Sequence, residues 1–196
     1  LVLCVDGVGE FETTSLWHGQ GKQLTRVKSI NFPHSLGLFY SAITYFCGFK
    51  VNSGEYKLMG LAPYGKPRFV DALRKTINVK DDGSYSLDLD YFEFCSGTKM
   101  AGKKLEKLLG FEICKRDGEL SQNHIDLASS AQQILEEIIL KICNDTQNKH
   151  SIKNLCLAGG VALNCVSNGK ILSENLFENV WVQPASGDAG GALGAA

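Results

Sequence analysis

The stretch "NLCLAGGVALNCVSNGKILSENLFENVWVQPASGDAGGALGAA" (residues 154–196) alternates between two patterns. Short apolar runs at 154–158 and 179–183 are each followed by a segment with helical character, at 165–175 and 188–196. Strands that alternate with helices in this way lie parallel in one sheet, because each crossover helix returns the chain to the same edge. The stretch therefore predicts two parallel strands and two helices.

The amino-terminal residues have a different pattern. "LVLCVDG" (1–7) is an apolar run that ends at Asp-Gly, and "TTSLWHGQG" and "LTRVKSI" follow it with a glycine-containing turn between them. Short strands joined by such turns form an antiparallel meander. We expect three antiparallel strands in residues 1–30, in the same sheet as the two parallel strands.

Helices are predicted between these two ends. "HSLGLFYSAITYFCG" (34–48) has helical spacing with a glycine at its end, and "HIDLASSAQQILEEIILKICNDTQ" (124–147) predicts a long amphipathic helix. Residues 50–123 mix short helical pieces with the strand-like "SYSLDLDYFEF", and we interpret them as an insertion. The predicted fold class is α/β: a ribonuclease-H-like mixed sheet with crossover helices and a helical insertion.

Composition narrows the range of partners and compartments. The chain is 44% hydrophobic and 21% charged with a net charge of −1, so its charge favours neither nucleic acid nor an anionic membrane. No apolar run reaches the roughly 18 residues of a membrane span. The seven cysteines are scattered without a C-x-x-C pair, which argues against a disulfide framework and a structural zinc site. A reducing, cytoplasmic compartment is predicted.

Both ends of the chain resemble interior positions of a domain. The sequence starts inside an apolar strand and stops in the first turns of a helix, so we interpret residues 1–196 as a fragment. Residues that the chemistry requires are expected outside it.

Three glycine-rich segments follow predicted strands: "VDGVGE" (5–10), "LAGGVALN" (157–164) and "PASGDAGG" (184–191). Open α/β sheets bind ligands at the edge where parallel strands end. Glycines there leave N–H groups that can face phosphate oxygens, and a carboxylate can hold a divalent cation. This pattern predicts phosphate contacts at Gly7, Gly9, Gly159, Gly160 and Gly187, and metal contacts at Asp6 and Asp188.

Each segment also has a purely structural interpretation. Asp-Gly is a common hairpin turn, "AGG" allows tight strand-to-helix packing, and Asp188 could simply cap a helix of small residues. Three such segments at one predicted edge, two of them with a carboxylate, favour a site for phosphate and metal.

The segment "SGEYKLMGLAPYGKP" (53–67) contains three glycines and two prolines around Lys57, which predicts an irregular but ordered backbone. Lys57 either reaches a phosphate as a point charge or lies in solvent, and composition leaves both open. The four histidines lack metal-ligand spacing, although His34 could face the site from a helix start. No covalent nucleophile, Walker loop or G-x-G-x-x-G motif is present, so catalytic residues are not assigned.

Four motifs, "VDGVGEFETTSLW", "GEYKLMGLAPYGKP", "LCLAGGVALNCVSNGKI" and "QPASGDAGGALGAA", closely resemble the O-carbamoyltransferases of nodulation-factor and antibiotic biosynthesis. The resemblance covers nearly the whole chain. It implies half of an actin-like fold, shared with heat-shock ATPases, sugar kinases and the tRNA threonylcarbamoyladenosine enzyme. It also implies a reaction in which carbamoyl phosphate and ATP give a carbamoyl-adenylate. The carbamoyl group then passes to a hydroxyl of a small molecule or glycan.

The resemblance also implies roles for single residues. Asp6 and Asp188 match the family's carboxylate ligands to a divalent metal (iron, manganese or magnesium). "GGVALN" matches its nucleotide-binding turn, which implicates Gly159, Gly160, Val161 and Asn164. The family's paired metal-ligand histidines, its first strands and its carboxyl-terminal domain would lie outside residues 1–196, so we expect this chain alone to be inactive.

Two other functions stay open at this point. A sugar-kinase-like phosphotransferase uses the same phosphate turns, and a non-catalytic nucleotide-binding module would need no chemistry. The acceptor is not encoded in the fold, and the oligomeric state is open, with a homodimer among the alternatives.

Overall fold

The computed structural model describes all 196 residues. The strands are β1 Val2–Val5, β2 Glu12–Gln20, β3 Gln23–Asn31, β4 Ile77–Val79, β5 Tyr85–Leu87, β6 Asn154–Ala158 and β7 Asn179–Val182. The helices are α1 Leu36–Phe46, α2 Glu55–Leu61, α3 Val70–Leu73, α4 Lys103–Leu109, α5 Gln122–His150, α6 Cys165–Ser173 and α7 Gly190–Ala195. Short 3₁₀ turns cover Ala62–Tyr64, Leu89–Tyr91 and Gly160–Leu163.

The main sheet has five strands in the order β3-β2-β1-β6-β7. β1 pairs antiparallel with β2, and β2 pairs antiparallel with β3. β6 lies parallel to β1 on its other side, and β7 lies parallel to β6. The mixed sheet, with three antiparallel strands followed by parallel ones, is confirmed.

The chain divides into two compact units, with boundaries inside α1, directly after β4, inside β5 and inside α5. The first unit comprises Leu1–Leu38, Lys80–Tyr85 and Ile138–Ala196 and contains the five-stranded sheet. Its core includes Leu3 and Leu157, which lie opposite each other on neighbouring strands and are both buried.

The second unit comprises Phe39–Val79 and Ser86–Glu137 and is mostly helical. Apolar residues that are almost fully buried form its core: Phe39, Phe46, Leu58, Leu73, Leu105 and Leu127. Most of the stretch interpreted as an insertion, residues 50–123, belongs to this unit.

Local side-chain hydrogen bonds explain where the elements differ from the sequence pattern. "SYSLDLDYFEF" forms a strand only at Tyr85–Leu87, because the Asp88 carboxylate accepts a hydrogen bond from the Asp90 N–H and starts a 3₁₀ turn. The expected irregular backbone of 53–67 is instead largely helical over α2 and the following 3₁₀ turn. Glu55 accepts hydrogen bonds from the Asn52 and Gly54 N–H groups where α2 begins.

None of the helices combines the length and the apolar character that crossing a membrane requires.

Candidate functional site at the carboxyl edge of the sheet

The three glycine-rich segments follow β1, β6 and β7, which are parallel neighbours in the sheet. Their carboxyl ends therefore lie at the same edge, at about 5 Å per strand. Asp6 directly follows β1, Gly159 directly follows β6, and Asp188 lies in the turn between β7 and α7. The topology thus places the three predicted segments at one edge, in the order 5–10, 157–164 and 184–191.

Asp6 connects the segments 5–10 and 157–164 by hydrogen bonds. Its Oδ1 accepts hydrogen bonds from the Gly7 N–H at 2.9 Å and the Gly160 N–H at 3.2 Å. Its own N–H donates to the Thr13 carbonyl at 2.8 Å. These bonds fix one carboxylate oxygen of a half-buried side chain and leave Oδ2 without a hydrogen-bond partner.

Gly159 allows this close approach. Its φ is +86°, and a Cβ at this position would lie 2.2 Å from the Val5 carbonyl oxygen. Any other residue would therefore combine left-handed backbone strain with a steric clash. The glycine in "LAGG" is required by the packing of β6 against the end of β1.

Ser35 and Gly37 hold the end of β1 from the other side, and the sequence analysis did not identify them. The Ser35 hydroxyl accepts a hydrogen bond from the Leu38 N–H at 3.0 Å and donates to the Gly7 carbonyl at 2.5 Å. A Cβ on Gly37 would lie 2.5 Å from the Asp6 carbonyl oxygen. The signal for Ser35 was its place among the first residues of the predicted helical stretch 34–48, where serine commonly caps.

Three glycine N–H groups at this edge have partners within the chain. Those of Gly7 and Gly160 donate to Asp6, and that of Gly9 donates to the Glu12 carbonyl at 2.9 Å. Ligand contacts at these glycines stay a prediction.

The segment "GGVALN" is a rigid turn. Val161 lies in the 3₁₀ turn Gly160–Leu163, and the buried Asn164 accepts a hydrogen bond from the Ser167 N–H at 3.0 Å as the N-cap of α6. Asn168 Nδ2 donates to the Ala162 carbonyl at 2.7 Å. Asn164 therefore has a capping role, and its contact with a nucleotide stays a prediction.

Small residues in the third segment allow a tight turn. A Cβ on Gly190 would lie 2.3 Å from the Ala185 carbonyl oxygen, so the turn closes tightly on itself. A Cβ on Gly187 would meet open space, and Asp188 is exposed with no hydrogen bond to its carboxylate. Sequence reasoning missed Ser186, whose hydroxyl is buried without a hydrogen-bond partner beside Gly187.

The residues present fit a divalent cation only in part. Asp6 Oδ2 and the Asp188 carboxylate are hard oxygen donors without partners, which suits a hard cation. β6 separates β1 from β7, so the two strands that carry them are about 10 Å apart. No group of three His, Cys, Asp or Glu side chains in this chain could hold a metal ion. These two aspartates would therefore be part of a larger set of ligands.

Lys57 and His34 lie at defined positions elsewhere. Lys57 is exposed on α2 in the second unit, and its Nζ lies 5.9 Å from the centre of the Phe49 ring. His34 is half-buried, and its backbone carbonyl accepts the Thr13 hydroxyl at 2.5 Å. A phosphate contact at Lys57 stays a prediction.

Comparison with known proteins identifies the family. The sequence profile of the family described as "Carbamoyltransferase N-terminus" matches residues 1–196. The Synechocystis protein sll1178 is 55% identical over all of this chain and 32% of its own length. Nodulation protein NolO of Bradyrhizobium diazoefficiens is 38% identical over all of this chain and 34% of its length. Nodulation protein NolNO of Sinorhizobium fredii is 37% identical over all of this chain and 27% of its length. The chain thus spans about a third of the length of these relatives.

Proposed function

The chain belongs to the carbamoyltransferase family, whose N-terminal region it matches along its whole length, and from that premise we propose the reaction of the whole protein. It transfers a carbamoyl group from carbamoyl phosphate, by way of a carbamoyl-adenylate formed with ATP, to a hydroxyl of a small molecule or glycan. With one water consumed, the products are phosphate, pyrophosphate, AMP and the carbamate ester. A cytoplasmic location and half of an actin-like ATPase fold belong to the same proposal.

The observation that carries the proposal is the junction at Asp6. Its carboxylate accepts the N–H groups of Gly7 and Gly160, which belong to two motifs that the family resemblance identified separately. A hairpin turn with a merely structural Asp-Gly would not need a bond to a residue 154 positions away. The contact supports a shared ligand site at this edge.

We assign roles to this chain's residues on that basis. Asp6 and Asp188 would hold a divalent cation (iron, manganese or magnesium), together with ligands outside residues 1–196. When bound, the cation would offset phosphate charge. The nucleotide would lie along Gly159, Gly160, Val161, Asn164 and Gly187, with Gly7 and Gly9 at the end of β1. Lys57 would add a positive charge toward a phosphate.

Isotope tracing with the full-length protein tests the reaction. We expect AMP and a labelled carbamate ester from labelled carbamoyl phosphate, ATP and a hydroxyl-bearing acceptor. ADP with a phosphorylated acceptor would instead indicate a sugar-kinase-like phosphotransferase. Binding of ATP without turnover would indicate a non-catalytic nucleotide-binding module.

Metal titration of the full-length protein tests the aspartates. Asp188→Asn should weaken the affinity for the divalent cation about tenfold or more, because it replaces a charged ligand by a neutral amide. Asp145→Asn, on the exposed surface of α5 and ion-paired to Lys149, is the matched control and should bind the cation normally. Unchanged affinity in Asp188→Asn would remove Asp188 from the site.

A further inference from the structure

A polar groove lies beside the outer hairpin of the main sheet, apart from the three glycine-rich segments. Its volume is about 360 Å³, which is within the usual range for small-molecule sites. The register of β2 against β3 shifts between Glu12 and Thr14 and between Leu16 and Trp17, and such shifts change the direction of side chains along a strand. The groove is lined by Glu10, Phe11, Glu12, Arg26, Ser29 and Asn31.

Several lining groups are held in place before any ligand binds. Arg26 forms an ion pair with Glu12, and its guanidinium lies 5.9 Å from the centre of the Trp17 ring. Trp17 Nε1 in turn donates to the Ser15 hydroxyl at 2.9 Å. Because β2 and β3 are hydrogen-bonded along their length, these side chains project from a rigid support.

The lining chemistry selects one class of ligand. Phe11 is 60% exposed and offers an apolar ring, while Ser29, Asn31 and the Glu12–Arg26 pair offer both donors and acceptors. A saturated ring with one apolar face and several hydroxyls, as in a sugar or a polyol, matches both properties. The two carboxylates, Glu10 and Glu12, outnumber the single guanidinium and disfavour an anionic ligand such as a nucleotide.

The groove begins next to Asp6. The Asp6 N–H donates to the carbonyl of Thr13, the neighbour of Glu12, and the Gly9 N–H donates to the carbonyl of Glu12 itself. The same short loop therefore connects the end of β1 to the groove. A hydroxyl that projects from a ligand in the groove toward β1 would face the carboxyl edge of the sheet.

We propose that this groove binds the acceptor of the carbamoyl group, with Phe11 stacking on its ring and Glu12, Arg26 and Asn31 hydrogen-bonding its hydroxyls. This inference rests on the proposed function, because only a transfer reaction requires an acceptor beside the donor site. The residues would determine acceptor specificity and take no part in forming the carbamoyl-adenylate.

Equilibrium binding to the full-length protein tests the groove, without ATP or carbamoyl phosphate. The probes are maltotriose, chitotriose and myo-inositol, measured by calorimetry and saturation-transfer NMR. At least one probe should bind, and Phe11→Ala and Asn31→Ala should each weaken it about tenfold. Phe11→Tyr, which keeps the ring, should bind as the wild type does. Leu24→Ala, on an exposed residue of the same hairpin outside the groove, is the control.

The outcomes separate this proposal from the reaction itself. If no probe binds, or if Phe11→Ala and Asn31→Ala bind like the wild type, the groove is not the acceptor site. Release of pyrophosphate from ATP that depends on carbamoyl phosphate marks formation of the carbamoyl-adenylate, needs no acceptor, and is measured separately with the wild type. If pyrophosphate is not released while the groove variants still lose binding, the proposed reaction fails and the groove remains a sugar or polyol site.

Discussion

At the scale of single residues, the end of β1 depends on positions that tolerate no side chain. Gly159 and Gly37 bring two backbones against Val5, Asp6 and Gly7. The carboxylate of Asp6 then has a fixed direction, because its Oδ1 accepts N–H groups from both neighbouring segments. The position of the Asp6 carboxylate therefore depends on the glycines around it as much as on the hydrogen bonds it accepts.

We expect Gly159→Ala to lower the free energy of unfolding by roughly 2–4 kcal/mol, from left-handed strain and a clash with the Val5 carbonyl. Urea unfolding of the chain measures this change in the free energy of unfolding. Gly169→Ala is the matched control, since Gly169 lies inside α6 with open space around it. That control should stabilise the chain by about 0.5–1 kcal/mol. Equal stability of Gly159→Ala and the wild type would mean that β6 does not approach β1 as described.

At the scale of elements, Asp126 in the first turns of α5 binds the segment that follows α2, through Lys66 and Arg68. The carboxylate is almost fully buried and accepts the Lys66 N–H at 2.8 Å and Gln122 Nε2 at 2.9 Å, and it forms an ion pair with Arg68. Burial alone would raise the pKa of Asp126, but these hydrogen bonds and the Arg68 charge outweigh it and lower the pKa. A Cβ on Gly65 would lie 2.3 Å from the Ile125 carbonyl oxygen, so the segment lies directly on the helix.

Asp126→Asn should lower the free energy of unfolding by roughly 2–3 kcal/mol at neutral pH, because it removes charge-assisted hydrogen bonds from a buried site. Asp145→Asn, which breaks an exposed pair with Lys149 on the same helix, should change it by about 0.5 kcal/mol or less. Urea unfolding at pH 7 compares the two variants. Similar effects from both would show that Asp126 does not hold this segment.

The lowered pKa also sets a pH dependence. A carboxyl group with a depressed folded-state pKa stabilises the fold above its unfolded pKa, about 3.9, and loses this effect as pH falls through the folded value. The wild type should therefore lose stability below about pH 4 more steeply than Asp126→Asn does. Repeating the unfolding experiment between pH 2 and about 5 gives the comparison.

At the scale of the whole molecule, this chain matches the N-terminal region of longer proteins. It spans about a third of the length of the relatives it matches, and under the proposed function it would supply two of the carboxylates of a metal site. We expect residues 1–196 alone to release no pyrophosphate from ATP in the presence of carbamoyl phosphate, while the full-length protein does. The same pyrophosphate assay measures both, and turnover by residues 1–196 alone would show that the site for this step is complete within them.

The sheet was predictable from sequence because its signals are local and repeated. Residues 154–183 alternate between apolar runs and helical spacing, and residues 1–30 contain glycine turns between short strands. The convergence of Asp6 with Gly160 followed from parallel strands ending at one edge. The hydrogen bonds of the glycine N–H groups did not follow, since their direction depends on backbone angles that composition does not encode.

The groove and the helix around Lys57 could not be predicted from the sequence, for a related reason. The groove is lined by residues of β2, β3 and the loop before β2, and the register between these strands shifts at two places that leave no clear mark in the sequence. The helix α2 begins where Glu55 accepts N–H groups from Asn52 and Gly54, within a stretch whose glycines and prolines suggested irregular structure. In both places, specific side-chain and backbone contacts outweighed the average tendency of the residues.

Each of the two units has one exposed cysteine that a chemical label can reach. Cys165 is exposed in the first unit and Cys95 is exposed in the second, whereas the other five cysteines are buried or half-buried. Burial raises the pKa of the Cys143 thiol to about 12 and raises that of Cys47 as well, which keeps both as unreactive thiols. Partial burial also raises the pKa of Cys95, so mildly alkaline buffer favours its labelling. Spin labels on Cys95 and Cys165 would report the distance between the units, and any change in it when a nucleotide binds, without new cysteines being introduced.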